Sequence, residues 1–123
     1  MKLLIYTTYF SNLANLPDNI VPISICGRVP DWYKGRQYKK LAPKKEFFNI
    51  WKNNHNNDYY IEEFNKQVLN RLNAEEVASE LFDGIPEGCA IALVCYEKSN
   101  EFCHRKLVAK WLCNHGFEVK EYV

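Results

Sequence analysis

The stretch CAIALVCYEKSNEFCHRKLVAKWLCNHGFEVKEYV, residues 89–123, decides the fold. Its first seven residues are apolar without a break. A strand with one wet face would alternate, so this one is predicted to be buried on both faces, as in the middle of a parallel sheet. The period then changes. His104, Val108, Trp111, Leu112 and His115 fall on one stripe of a helix predicted from about Asn100 to His115, with Gly116 as its C′ residue. FEVKEYV, 117–123, reads as a further strand, so the whole stretch is a short βαβ unit with a right-handed crossover.

Outward from this unit, KLLIYTTY (2–9) is short, apolar and β-prone, and predicts a first strand. SNLANLPDN is a loop or a single helical turn ended by Pro17. NIVPISICG (19–27) predicts a second strand, in which Pro22 suits a strand start or an edge because it has no N–H to donate. PKKEFFNIWKNN is a short helix with a proline start, and NNHNND breaks the chain. Asp58 is a candidate N-cap for a helix carrying Ile61, Phe64, Val68 and Leu72. Asn73 and Glu76 form a capping-box variant before AEEVASELF, and DGIPEG is a turn. With no internal repeat, residues 1–123 read as a single α/β domain. The expected architecture is a small three-layer Rossmann-like domain with a mostly parallel sheet of about four strands flanked by helices.

At 123 residues, 47% hydrophobic and 15% aromatic, the chain can build one packed core. A net charge of +1 gives no bulk pull towards nucleic acid or membrane. No run approaches the roughly 18 apolar residues of a membrane span, and MKLLIYTTYFSNL lacks a secretory cleavage pattern. Five irregularly spaced cysteines, 26, 89, 95, 103 and 113, fit reduced thiols in a cytoplasmic protein with no membrane partner. Charge is unevenly placed, however. Residues 28–45 hold seven cations against Asp31 alone, interleaved with Trp32, Tyr33 and Tyr38. Such a loop is either a phosphate or nucleic-acid contact or a solvated segment whose aromatics pack back on the core.

In an open parallel sheet, ligands bind beyond the carboxyl ends of the strands. Thr7, Thr8 and Tyr9 follow the first strand, Cys26, Gly27 and Arg28 the second, and Cys95, Glu97 and Ser99 the third. His104 lies on the core stripe one turn into the last helix, so it should point at the strand end, with Arg105 rotated by about 100°. An anion there would meet a helix N-terminus and guanidinium groups, which makes Arg105 and Arg28 candidate phosphate or carboxylate ligands. Glu97 with His104 is the better acid–base pair, unless Glu97 only holds an arginine. Cys103 is either a lowered-pKa nucleophile or an inert apolar side chain. A phosphatase-type loop is excluded, because arginine stands six residues after neither Cys95 nor Cys26. A metal is not expected, since Cys95, Cys103, His104 and Cys26 could meet only by folding.

The segment ALVCYEKSNEFCHRKLVAKWLCNHGFEV resembles the signature of domain-of-unknown-function family 488: an apolar strand, Cys-x-Glu, a short gap, Cys-His-Arg, a helix and a final strand. IYTTYF and PISICGRVPDWYKG resemble its first two strands and the following loop. The resemblance implies a small Rossmann-like domain, placed near nucleotide or nucleic-acid metabolism, with Cys95, Glu97, Cys103, His104, Arg105 and Arg28 at signature positions. Many members carry Asp-x-Arg after the second strand; here Cys26-Gly27-Arg28 stands in that place, so the acid is missing. The expected function is binding of a phosphate-bearing ligand, nucleotide or nucleic acid, at the strand carboxyl edge. Arg105 and Arg28 would hold the anion, Glu97 and His104 orient it, and Tyr9, Trp32 or Tyr33 stack on a base. The alternatives are an enzyme acting on such a ligand with Glu97, His104, Cys95 and Cys103, or a protein-interaction module using loop 28–45. The cofactor is left unknown.

Overall fold

An unbroken apolar run can satisfy its backbone polar groups and stay dry only between two other strands. The computed structural model, which describes residues 4–97 and 102–122, places it there. Five parallel strands, β1 (Leu4–Tyr9), β2 (Ile20–Ser24), β3 (Arg36–Gln37), β4 (Ala90–Cys95) and β5 (Glu118–Glu121), form one sheet in the order β3-β2-β4-β1-β5. Every residue of β4 is buried, with Ile5 opposite Ile91 and Tyr9 opposite Cys95 on one side and Ile20 opposite Ala90 on the other.

The fifth strand is the one the sequence does not announce. Arg36 and Gln37 are polar, exposed and only two residues long, and they pair with Ile23 and Ser24. Pro22 sits one residue before that pairing begins, and its carbonyl faces the Tyr33 hydroxyl at 3.3 Å instead of a strand. The proline thus occupies a local edge within β2, as its missing donor requires.

Alternation along β4 separates the two faces. Ile91 and Leu93 join Ile5 and Ile23 in the main core beneath the helices α1 (Lys45–Asn54), α2 (Asn57–Gln67), α3 (Ala74–Phe82) and α4 (His104–Asn114). Phe47, Tyr60, Phe64, Leu81, Val108 and Leu112 are the helical half of that core. Each such buried side chain contributes roughly 1.5–3 kcal/mol. Ala92 and Val94 face the other way, under a thinner layer made by the 3₁₀ turn Phe10–Asn15 and the loop after β2.

Local rules account for most boundaries. Asn73 caps α3 as expected, its Oδ1 accepting from the Glu76 N–H at 3.0 Å. Gly116 takes the left-handed conformation, φ +93°, that ends α4. The α2 cap is Asn56, not Asp58: His55 already closes α1 with φ 51°, so the next helix begins sooner, with Asn56 accepting from the Tyr59 N–H. The last helix also differs from expectation. It begins at His104, and Cys103 is its extended N-cap, with φ −154° and ψ 145°.

Candidate functional site

The connections that leave β1 and β4 run over opposite faces of the sheet. Neighbouring strands whose exits diverge leave a crevice beyond their carboxyl ends, which is where ligands enter open α/β sheets. Here that crevice lies at the paired residues Tyr9 and Cys95. The structure brings most of the sequence-predicted site residues to this edge, in roles that differ among them.

Arg105 is the most heavily engaged. Its side chain is fully buried, and its Nε and Nη2 donate to the two carboxylate oxygens of Glu121 at 3.2 and 2.8 Å. Nη1 donates to the Glu97 carbonyl and lies 2.9 Å from Cys95 Sγ, while the guanidinium sits 5.8 Å from the centre of the Tyr9 ring. A forked ion pair of this kind compensates the cost of burying the charge. It also commits the donors that the sequence reading reserves for an anion. Glu121 ends β5 at the same edge and accepts in addition from the Thr7 hydroxyl. Sequence reasoning missed it, although the same carboxyl-end rule, applied to the last strand, would have found it.

His104 is buried, and its Nε2 lies 2.8 Å from the Ile25 carbonyl, so that nitrogen carries the proton. Burial pushes the ring down to about 4, against the opposing pull of that carbonyl and with help from the Arg105 charge. The imidazole is therefore neutral at ordinary pH, with the Nδ1 lone pair 3.9 Å from Cys103 Sγ. Cys103 precedes the helix in extended conformation, so the helical step of about 100° does not separate its side chain from His104.

The thiols divide into two kinds. Cys26 is buried, faces the Val94 carbonyl at 3.8 Å, and is pushed up to about 12 by desolvation and by the Glu97 charge. It stays a thiol. Cys95 and Cys103 sit at disulfide distance from each other, with Cα atoms 7.4 Å apart, a weak departure from the expectation that every cysteine is reduced. The Cys95 and Cys103 sulfurs and one ring nitrogen of His104 lie within 4.8 Å of one another. The charge of Glu97 reaches both Cys26 and Tyr60, so its carboxylate is close to this cluster. Ser99 lies outside the described residues.

The rim is aromatic and basic. Phe10 is buried and makes ring contacts with Trp32, Tyr33 and Tyr96 at 6.1, 5.3 and 4.8 Å. Trp32 and Tyr96 are 59% and 48% exposed, high for such large rings. Burial raises the Tyr96 phenol and the Arg28 charge opposes this. Arg28 is exposed, as are the other cations of the basic loop. Tyr33 is committed inwards: its hydroxyl donates to the Arg36 carbonyl at 2.6 Å, and burial pushes it to about 12. Gly35 permits this, since a Cβ there would stand 2.5 Å from the Tyr33 oxygen.

A family model described as "DUF488-N3a: Active DUF488-N3 subclade" matches residues 12–116. The chain belongs to the DUF488 family. No curated protein and no solved structure matches it. The match takes in Arg28 and the run from Cys95 to Arg105, so the crevice lies almost wholly within the DUF488 region; Tyr9 and Glu121 flank it. A groove of about 730 Å³ opens at the opposite, amino end of the strands, lined by Leu4, Pro17, Ile20, Ile85 and Cys89 among others. It gathers none of the sequence-predicted site residues.

Proposed function

We propose that this DUF488 domain binds a phosphate-bearing ligand, a nucleotide or a nucleic acid strand, at the carboxyl edge of its sheet. The observation that carries this reading is the pair of exposed rings, Trp32 and Tyr96, both seated on buried Phe10, with the exposed Arg28 charge felt at Tyr96. Exposed aromatics on a buried base stack with nucleobases, and exposed cations such as Arg28 attract phosphate. Arg28 and its loop take the anion. Arg105, saturated by Glu121, holds the edge in shape instead.

The test is a thermal-shift panel of nucleotides, sugar phosphates and short oligonucleotides. A ligand at 100 times its dissociation constant adds about 2.7 kcal/mol of stability. Trp32→Ala and Arg28→Ala should each weaken binding tenfold or more, with added salt weakening the wild type as well, while Glu97→Gln spares affinity. If both rim variants respond like wild type to every stabilising ligand, this edge is not the binding site.

A catalytic reading is favoured by a separate observation: the Arg105 N–H lies 2.9 Å from Cys95 Sγ at the strand end, where it would stabilise a thiolate once the Cys95–Cys103 pair is reduced. The word "active" in the family description agrees with it. Under that reading Glu97→Gln keeps affinity and loses turnover. A protein-interaction role for loop 28–45 would survive every change in the crevice.

A further inference from the structure

The thiols of Cys95 and Cys103 and the Nδ1 of His104 have no assigned role in ligand stacking, yet the fold assembles them with unusual care. We infer that they form a binding site for a soft, thiophilic divalent cation, zinc by its chemistry, with an open fourth position. The inference stands on their geometry and is independent of what occupies the aromatic rim.

Four observations converge. All three residues are buried, and their donor atoms lie within 4.8 Å of one another. Zinc bonds of about 2.3 Å to sulfur and 2.0–2.1 Å to nitrogen put donors roughly 3.5–4 Å apart, a spacing the two sulfurs reach once the bond between Cys95 and Cys103 is reduced and they part. The second observation is the tautomer. Nε2–H is anchored on the Ile25 carbonyl at 2.8 Å, which leaves Nδ1 as a lone pair turned towards Cys103 Sγ. A metal-binding histidine is held by this outer hydrogen bond. Third, the Cα atoms of Cys95 and Cys103 stand 7.4 Å apart. That is wider than the roughly 4.4–6.8 Å that disulfides usually span, and a metal between the two sulfurs accommodates it. Fourth, the Arg105 N–H lies 2.9 Å from Cys95 Sγ, an outer hydrogen bond that orients this sulfur, while the Arg105 charge itself is met by Glu121. Cys26, turned to Val94 and held as a thiol, is left out of the set.

Loading balances simply. Where the pair is oxidised, a phosphine reductant supplies two electrons and becomes its oxide with an oxygen from water, and the S–S bond gives two thiols. The cation then displaces both thiol protons to solvent and forms two metal–thiolate bonds and one metal–imidazole bond. Two thiolates neutralise a divalent charge, so the buried site carries no excess.

The test titrates Co²⁺ into the full chain, reduced by a phosphine under inert gas. One equivalent should produce a thiolate-to-cobalt charge-transfer band, and zinc should remove it. Cys95→Ser and Cys103→Ser should abolish the band, His104→Ala should weaken binding at least tenfold, and Cys113→Ser should leave it unchanged. Because the core variants can lose their fold, wild-type chain with the Cys95–Cys103 pair oxidised, checked by mass, is the companion sample and should show no band. Absence of the band in reduced, folded wild type overturns the inference. So does a band of equal strength in the oxidised chain or in folded Cys103→Ser.

Discussion

At the residue scale, the site is governed by which buried polar groups find partners. Arg105 tolerates full burial only because Glu121 meets it with both oxygens. Removing one member of such a pair strands the other, so Glu121→Gln should cost about 3 kcal/mol in denaturant unfolding, whereas Glu87→Gln on the surface should cost little. Equal, small effects would show that the pair contributes nothing. Thiol accessibility gives a second check. Brief alkylation of the native chain at mildly alkaline pH should label exposed Cys113 and leave Cys26 untouched, as read by mass spectrometry. Rapid labelling of Cys26 would contradict its burial. The third concerns Glu80, held below the usual carboxylate range by the Tyr38 hydroxyl and, after it, by Lys40. A depressed carboxyl adds stability that is present above its ordinary value of 4.5 and is lost as pH falls through the folded-state value. The stability gap between wild type and Tyr38→Phe should therefore be widest near neutral pH and close in acid. A gap constant with pH would mean that the phenol acts by packing alone. Cys95, Glu97, His104 and Arg105 were legible as a cluster because they flank one strand exit. Glu121 was not, because a glutamate in FEVKEYV carries no local mark of its partner.

At the element scale, legibility followed the strength of the periodic signal. The β4–α4–β5 unit was readable because seven apolar residues in a row and a helical stripe admit few other structures. β3 was not readable, since two polar residues carry no period; only the open side of β2 makes them a strand. The start of α4 was misplaced because the helical stripe extrapolates back past Cys103, while the N-cap geometry that stops it there is a tertiary matter. α2 shows how one element ties core to site: Phe64 is fully buried, stacks on Tyr60, and meets the His104 ring at 5.6 Å. Phe64→Ala should destabilise by about 3–5 kcal/mol through the cavity it leaves. The loss should exceed that of Ile50→Ala on the exposed side of α1, where a change is worth a few tenths at most. Similar losses at both positions in urea titrations would mean that the helix layer is not packed as described.

For the whole molecule, topology explains why the chemistry gathers where it does. β1 and β4 are neighbours whose exits part to opposite faces, so Tyr9, Cys95 and the residues after β2 meet at one opening. The amino ends of the same strands form a groove of about 730 Å³ without any of the sequence-predicted site residues. Fold class and the clustering of the candidate site residues follow from pattern and connectivity, which a sequence displays. The saturation of Arg105 and the exposure of Trp32 and Tyr96 depend on side-chain packing, which it does not. The most direct measurement is an amide chemical-shift titration of the isotope-labelled chain with a short single-stranded oligonucleotide. Shifts concentrated at Tyr9–Phe10, Arg28–Tyr33 and Cys95–Glu97 are the expected result. Shifts concentrated at Leu4, Asn19 and Glu87–Cys89, or none at saturating ligand, would contradict binding at the carboxyl edge.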